Sequence, residues 1–443
     1  LFLKRKKHFK IYKMMLIFVK KHYKIKLLIN KQKMFTGVNK MTKVTLQDIK
    51  DAKETIKDIV KKTDILESAK LSAMTGANVF YKCENLQKTG SFKVRGACNK
   101  IANLTDEEKA NGVIASSAGN HAQGVALGAK MTGIKATIVM PATAPLAKVT
   151  ATKGYGAEVV LNGLVYDDAY AKAVELQKET GATFLHPFDD KYVIAGQGTI
   201  GLEILEQLDG NVDTIVCPIG GGGIIAGIAV AAKGINPNIK IVGVQTANIP
   251  SMQESMKNGE VTTAFKATTI ADGIAVKTPG NVTFEIIKEL VDEVIVVEED
   301  EIAQGMLFLM ENQKVVAEGS GAVSTAALLS GKYVPQKDEN VVCVISGGNV
   351  DVNTLYRVIG TALTKEGRRY AFNTVIQDKP GGLAELTKII SEHDANILNV
   401  NLSRSSMGGG LGRLTTEMVL ETFNQEHIDK LKAAITKAGF EII

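Results

Sequence analysis

The chain has few cysteines, and no two of them form a CxxC pair. Its 443 residues include four cysteines and six histidines. The histidines have no spacing typical of metal ligands, and we interpret His186 and the others as satisfied loop or core residues. A disulfide framework is therefore excluded, and reduced thiols in a cytoplasmic protein are expected. The cysteines are Cys83, Cys98, Cys217 and Cys343.

The first 40 residues lack acidic side chains. They contain 13 Lys or Arg and no Asp or Glu, whereas the remaining 403 residues carry 40 basic and 47 acidic side chains, a net charge of −7. A polybasic arm is typical of binding to nucleic acid or an anionic membrane. Its longest apolar run, Met14 to Val19, is too short to span a bilayer. We therefore expect residues 1–40 to be a disordered or artefactual leader before a natural start at Met41. We predict no nucleic-acid partner and no membrane partner.

The rest of the chain has enough apolar residues for large cores. Hydrophobic residues make up 45% of the chain, which allows more than one domain. Short apolar segments alternate with helical stretches over roughly 300 central residues. Examples are the runs Ala136 to Met140, Ala157 to Leu161 and Ile241 to Val244. This alternation predicts an α/β fold with a covered sheet.

Lys93, in the segment Ser91 to Gly96 (SFKVRG), is the first candidate for chemistry. A lysine amine can form a Schiff base with a carbonyl cofactor only when it is partly neutral. A desolvated pocket near other cations produces that state. Most lysines are solvated surface charges, so the interpretation of Lys93 depends on neighbouring motifs.

Two glycine-containing loops follow apolar, strand-like runs. The first, Ser116 to Gly124 (SSAGNHAQG), leads into a helix whose free amides can hold a carboxylate, and Asn120 can donate to a phenolate oxygen. An ordinary helix cap is the alternative. The second, Gly220 to Gly223, opens the helical run Ile224 to Lys233. Successive backbone amides there can surround a phosphate.

The second loop also contains a weak dinucleotide fingerprint, formed by Gly221, Gly223 and Ala226. That interpretation requires an acidic residue at the end of the next strand, where Gln245 stands, so we favour a phosphate loop. A third loop, from Ser346 to Asn349, follows another apolar strand. Its serine hydroxyl is well placed in the sequence to meet a ring nitrogen, although by itself the loop is only a turn.

Taken in order, the motifs SFKVRGA, SAGNHAQG, GGGGIIAG and SGGN closely resemble those of fold-type II pyridoxal phosphate enzymes, specifically the threonine dehydratase (threonine ammonia-lyase) family. The resemblance extends from Thr45 to Thr364. It implies a tryptophan synthase β-like catalytic domain with two α/β subdomains over residues 41–365. It also implies a pyridoxal 5'-phosphate cofactor, a small amino-acid substrate, and a cytoplasmic homotetramer or homodimer.

The resemblance implies a role for each motif. Lys93 is the Schiff-base lysine and the base that removes the α-proton, Asn120 bonds the phenolic oxygen of the cofactor, and Ser346 meets the pyridine nitrogen. A serine there does not hold that nitrogen protonated, which favours elimination over transamination. The implied phosphate loop comprises Gly220, Gly221, Gly222, Gly223 and Ile224, and the implied substrate-carboxylate loop comprises Ser117, Ala118, Gly119, Asn120 and His121.

Two departures distinguish this chain from relatives that racemise serine. Those relatives carry a second serine at the position of Ala118, and metal-binding members carry a glutamate where Gln245 stands. An amide is a poorer ligand for a hard cation than a carboxylate, so no metal is predicted. We expect an L-threonine dehydratase that also acts on L-serine. The alternatives are an L-serine dehydratase, a serine racemase, and a catalytically relic amino-acid-binding regulator. Glu318 and Asp272 are interpreted as neighbours of the site or helix caps, without a catalytic role.

The C-terminal part, residues 370–443, has the predicted order strand, helix, strand, strand, helix, strand, which indicates a ferredoxin-like module. The strands are expected at 371–377, 396–405, 414–421 and 440–443, and the helices at 382–393 and 426–438. Its turn Asp378 to Leu383 resembles that of ACT domains, which implies allosteric regulation by an amino acid such as isoleucine or valine, as in isoleucine biosynthesis. Gly381, Asn396 and Asn399 are the candidate effector contacts. A purely oligomerising module is the alternative.

Overall fold

The computed structural model describes residues 44–265, 268–404 and 412–443. The expected leader and Met41 lie outside the described residues, as does the expected end of a strand at residue 405. The first half contains α1 (Leu46–Ile56), β1 (Ile65–Glu67), α2 (Ala69–Thr75), β2 (Asn78–Cys83), α3 (Lys93–Ala102), α4 (Asp106–Asn111), β3 (Val113–Ser116), α5 (Asn120–Thr132), β4 (Ala136–Met140), α6 (Leu146–Gly154), β5 (Glu158–Leu161), α7 (Tyr166–Thr180), β6 (Thr183–Phe184) and α8 (Lys191–Gln207).

The second half continues with β7 (Thr214–Pro218), α9 (Gly223–Ile235), β8 (Lys240–Thr246), α10 (Ser251–Asn258), α11 (Asn281–Leu290), β9 (Glu293–Val297), α12 (Glu299–Phe308), α13 (Gly319–Leu329), β10 (Asn340–Ile345), α14 (Val352–Lys365), β11 (Arg369–Gln377), α15 (Gly382–Glu392), β12 (Asn396–Ser403), β13 (Arg413–Glu421) and α16 (Gln425–Lys437). Short 3-10 turns cover Glu84–Leu86 and Asp272–Ile274.

The larger sheet has six strands in the order β1-β2-β10-β7-β8-β9. Its strands are parallel except β1, which runs antiparallel to β2. All five residues of β7 are buried, as expected for a parallel strand covered on both faces. On one face, α8 and α9 pack with their backbones in close contact because Gly227 has no side chain. A Cβ added at Gly227 would lie only 2.4 Å from the carbonyl oxygen of Ile194.

The smaller sheet has four parallel strands in the order β5-β4-β3-β6. Its core includes Ile138 and Met140 of β4 and Val125 of α5, all fully buried. The predicted α/β class with covered parallel sheets is confirmed. Among the described residues, no helix is both long and apolar enough to cross a membrane. All four cysteines are buried free thiols.

The C-terminal residues form an antiparallel sheet in the order β11-β13-β12, with α15, α16 and a hydrophobic core of its own. Buried and exposed residues alternate along β11 and β13, which indicates a sheet with one covered face. The prediction of a full strand at 440–443 is wrong. Pairing there is limited to one bridge between Thr374 and Ile442, together with a hydrogen bond from Ile443 N to Asn373 O at 2.8 Å.

Candidate active site

Lys93 is the first residue of α3 and lies beside the loop that follows β10. The preceding residues pair with that loop: Ser91 forms an antiparallel bridge with Gly347, and the backbone amide of Phe92 donates to the carbonyl oxygen of Ser346 at 3.1 Å. The structure therefore brings together two predicted motifs that lie about 250 residues apart. They meet at the carboxyl ends of the parallel strands, where open α/β sheets bind ligands.

The amine of Lys93 is in a desolvated environment. Its Nζ donates to the carbonyl oxygen of Pro187 at 2.9 Å, and the side chain keeps partial exposure. Burial lowers the pKa of Lys93 to about 8, and the negative charge of Glu318 opposes that shift. An amine that is appreciably neutral near pH 7 can attack an aldehyde, as a Schiff-base lysine must.

The segment from Leu185 to Phe188, for which we predicted no role, connects three motifs. The carbonyl oxygen of Leu185 lies 2.9 Å from His121 Nε2, and that of Pro187 accepts from Lys93 Nζ. The ring of Phe188 packs on the tetraglycine loop. A Cβ added at Gly221 would lie 2.4 Å from that ring. The signal in the sequence was a histidine before a proline, which we interpreted as an ordinary loop.

The tetraglycine loop connects β7 to α9 and is tightly enclosed. Gly222 has a φ of 100°, which disfavours any residue with a Cβ. An added Cβ would also lie 3.1 Å from Ile274 Cα at Gly220, and 2.8 Å from Thr283 Cβ at Gly222. The hydroxyl of Thr283 donates to the carbonyl of Gly221 at 2.6 Å. The first amides of α9 have no acceptor within the helix, so loop and helix end together fit a phosphate group.

Asn120 begins α5 and belongs to a polar cluster. Its Nδ2 donates to Glu318 Oε1 at 2.7 Å, and its Oδ1 accepts from Asn349 Nδ2 at 2.8 Å. Asn349 Nδ2 also donates to Thr89 O at 2.7 Å. The side-chain amide of Asn120, which we expect to reach a phenolic oxygen, is thus held in place at both ends. Its Nδ2 is paired with Glu318.

Glu318 lies at the centre of this cluster and occupies the N-cap position of α13, but its side chain does not cap that helix. It precedes α13, yet its side chain makes no capping hydrogen bond and instead accepts from Ser320 Oγ at 2.8 Å. Burial raises its pKa to about 7, the nearby charge of Asp272 adds to the shift, and the hydrogen bond from Ser320 opposes it. A Cβ added at Gly347 would lie 2.5 Å from Glu318 Oε1. Two alternatives were open for Glu318, and the position beside the site is the observed one.

The remaining site residues surround the same space. Ser346 is buried, and its Oγ donates to Ser320 O at 3.3 Å. The loop from Ser117 to Asn120 is half-buried, and Ser117 Oγ accepts from the Gly119 amide at 3.2 Å. Burial lowers the pKa of His121 to about 3, and the positive charge of Lys93 adds to the effect. The neutral ring of His121 contacts the carbonyl oxygen of Leu185 through Nε2, at 2.9 Å.

A cluster of buried ion pairs fixes α3 to the neighbouring elements. Arg95 is fully buried and donates to both oxygens of Glu84 at 2.8 Å and to both oxygens of Glu203 at 2.7 and 2.8 Å. Lys82 Nζ donates to Glu203 Oε2 at 2.6 Å. Two cations and two anions balance, which a buried cluster requires. The cluster joins β2 and α8 to the helix that begins with Lys93.

Gln245, which stands where metal-binding relatives carry a glutamate, caps a helix through its side chain. Its Oε1 accepts from the backbone amides of Met252 and Gln253, both at 2.9 Å, and so caps α10. Across the described part of the chain, no cluster of three or more His, Cys, Asp and Glu side chains is placed to hold a metal ion. The absence of a metal requirement stays a prediction.

The three candidate effector residues are not brought together within one chain. Gly381 caps α15 just beyond the end of β11 where Gln377 pairs with Arg413, whereas Asn396 pairs with Glu421 at the opposite end. Eight residues of strand separate these ends, a distance of roughly 25 Å. Asn399 lies between them, is exposed and pairs with Val419.

Comparisons with known proteins agree with this geometry. Residues 56–347 match the family model described as pyridoxal-phosphate dependent enzyme. The chain is 50% identical over 399 residues to an L-threonine ammonia-lyase of Thermotoga maritima, which covers 90% of this chain and 99% of that protein. The processed form of threonine deaminase isoform 2 from Solanum lycopersicum is 40% identical, with a TM-score of 0.69 and coverage of 71% of this chain and 92% of that one. Maize serine racemase is 39% identical, with a TM-score of 0.68 and coverage of 73% and 99%.

Proposed function

We propose that this chain, which belongs to the pyridoxal-phosphate dependent enzyme family, is a threonine dehydratase that converts L-threonine to 2-oxobutanoate and ammonia. The observation that carries the proposal is the position of Lys93. Its amine, with a pKa of about 8, donates to the carbonyl oxygen of Pro187, and the ring of the next residue, Phe188, packs on an enclosed glycine loop that fits a phosphate. Similarity to L-threonine ammonia-lyase over 90% of the chain supports the choice of substrate.

The described residues fit the cofactor. Gly220 to Gly223, with the amide of Ile224, would hold its phosphate, Lys93 would bind it covalently, and Ser346 would face its ring nitrogen. When bound, pyridoxal phosphate withdraws electrons from the substrate α-carbon and makes its proton removable. Lys93, released from its bond to the cofactor when the substrate amine takes its place, would accept that proton as a general base, because its amine is neutral for part of the time near pH 7.

Substrate orientation is assigned to the start of α5. The loop from Ser117 to His121, at a helix N-terminus, would hold the carboxylate. The amides of Ser117 and Gly119 donate to Val139 O and Ser117 Oγ, so the carboxylate would be held by the other amides of the loop. The amide of Asn120 is held by Glu318 and Asn349 and would meet the phenolic oxygen of the cofactor. Activity on L-serine is also expected, since one methyl group in a pocket changes the binding free energy by only about 1–3 kcal/mol.

The test measures 2-oxo acid formation by the purified protein with L-threonine and with L-serine, using Lys93→Ala as the matched control. Rapid 2-oxobutanoate formation that Lys93→Ala abolishes is expected. Serine preference would indicate an L-serine dehydratase. A protein without cofactor absorbance and without turnover would contradict the proposal and favour a relic amino-acid-binding regulator.

Serine racemase activity is a second candidate because the fold is similar to that of maize serine racemase. Ala118, however, offers no hydroxyl to protonate the opposite face of the substrate, and the Oγ of neighbouring Ser117 accepts from Gly119. We expect no D-serine from L-serine. Ala118→Ser tests this directly, since a gain of racemase activity would identify the missing donor.

We further propose that residues 370–443 form an ACT-like regulatory domain following a catalytic domain at 41–365. Support comes from the strand order and the separate core. The match to the T. maritima protein covers 399 residues, more than the 369 that precede residue 370, so it includes part of this module. Ion pairs of Arg368 with Glu311 and of Lys365 with Asp300, both at 2.8 Å, hold the segment that leads into the module against the body.

An effector such as isoleucine or valine would contact the turn at Gly381 or the segment containing Asn396 and Asn399. Because these lie at different ends of the sheet, a site that uses both requires a second copy of the chain. We therefore propose a homodimer or homotetramer acting in the cytoplasm. Truncation after Arg368 should remove any isoleucine or valine effect, and an unchanged response would place the sensor elsewhere. Light scattering gives the oligomeric state.

A further inference from the structure

An ion pair connects the smaller parallel sheet to the wall of the candidate active site. Lys148 lies on α6, between β4 and β5 of the smaller sheet. Its Nζ is 2.8 Å from Asp272 Oδ2, in the 3-10 turn that the larger sheet contributes. The side chain of Lys148 is 20% exposed and that of Asp272 is 60% exposed, so the pair lies at the protein surface.

The turn that contains Asp272 is part of the site. A Cβ added at Gly273 would lie 2.4 Å from Ser320 Oγ and 3.2 Å from Glu318 Oε1. The next residue, Ile274, lies against Gly220 of the tetraglycine loop, where the gap to an added Cβ would be 3.1 Å. The turn therefore packs on both the Glu318 cluster and the tetraglycine loop, so a group that holds this turn also restrains two parts of the candidate site.

A second contact joins the end of α6 to the loop that precedes α3. Tyr155, directly after α6, donates from its Oη to the carbonyl oxygen of Lys88 at 3.4 Å, in the loop before α3. Burial lowers the pKa of Lys148, but the charges of Asp272, Glu318 and Asp351 outweigh it and raise that pKa, so the amine stays charged. Three acids, Asp272, Glu318 and Asp351, thus stabilise the charge of Lys148.

We propose that the Lys148–Asp272 ion pair holds α6 closed over the active site and so positions the substrate. Both are positioning residues, and the inference rests on the proposed function. An exposed ion pair contributes little stability, which suits a contact that must open for substrate to enter and product to leave. Its loss should therefore affect substrate binding more than the chemical step.

The test is a double-mutant cycle of Lys148→Met, Asp272→Asn and the combined variant. Lys148→Met should raise KM for L-threonine about two- to fivefold, the factor expected for an exposed pair, with little change in kcat. Asp272→Asn should do the same, and the combined variant should add nothing further. Lys148→Arg keeps the positive charge and should therefore have the same KM as the unmodified protein.

A second measurement does not depend on turnover. Hydrogen exchange of the amides of Leu146–Gly154, followed without substrate, should be faster in Lys148→Met than in the unmodified protein. Lys233→Met is the matched control, because Lys233 pairs with Asp292 at the same 2.8 Å with a similar 18% exposure but away from the site. Exchange in α6 that is unchanged in Lys148→Met, or equally changed in Lys233→Met, would overturn the inference. Failure of activity alone would instead concern the proposed function.

Discussion

The pH at which Lys93 becomes reactive tests the candidate site directly. Burial lowers the pKa of this amine to about 8, against 10.5 for an ordinary lysine. At pH 7, an amine of pKa 8 is about one-tenth neutral, whereas an ordinary lysine amine is neutral in about 3 parts in 10,000. Burial therefore increases the reactive fraction about 300-fold at pH 7.

The assay follows the visible absorbance that forms when pyridoxal phosphate is added to cofactor-free protein, over a range of pH. The neutral fraction of Lys93 rises with pH and approaches its limit above the pKa. The loading rate should therefore increase through pH 8 and level off above it. The rate for N-acetyl-lysine, divided by the neutral fraction of that amine at each pH, gives the pH dependence of the reagent itself. Dividing the Lys93 profile by this corrected rate removes the contribution of the reagent.

Two results would refute this reasoning. A loading rate that keeps rising beyond pH 9, in parallel with N-acetyl-lysine, would show that Lys93 is an ordinary solvated amine. Equal absorbance in Lys93→Ala would show that another lysine reacts. The expected plateau, absent in Lys93→Ala, would establish both the residue and its environment.

Three substitutions test other parts of the site. Glu318→Gln removes the negative charge that raises the pKa of Lys93, so the midpoint of the loading profile should move to lower pH; a shift upward would contradict the contact. Gly221→Ala forces a methyl group to within 2.4 Å of an aromatic ring and should weaken cofactor binding and cost about 1–3 kcal/mol of stability, measured by cofactor titration and urea unfolding. Gly154→Ala, which meets no atom within 4 Å, should leave both unchanged, so equal effects would refute the packing argument. Arg95→Met leaves the buried carboxylate of Glu84 without its cation and Glu203 with Lys82 alone, and should reduce the free energy of unfolding by about 3–5 kcal/mol. A loss under about 1 kcal/mol would show that the cluster is not needed.

The sequence by itself determined the local features. Apolar periodicity predicted the α/β class, and in the C-terminal module it placed five of six elements with ends within two residues of those observed. The glycine run after β7 located a tightly enclosed loop, because only residues without a Cβ fit there, and its role in phosphate binding stays a prediction. The prediction of a last strand at 440–443 was wrong because periodicity gives no information on whether a short segment pairs with a neighbouring strand.

Only the tertiary structure decided which distant residues meet. Glu318 and Asn120 are 198 residues apart in the chain, and Lys148 and Asp272 are 124 apart, so no local pattern relates them. Their contacts arise because two separate parallel sheets pack with their strand ends facing one space. The same packing sets the pKa of Lys93 and Glu318, since burial depends on the neighbours that folding brings and not on the adjacent residues.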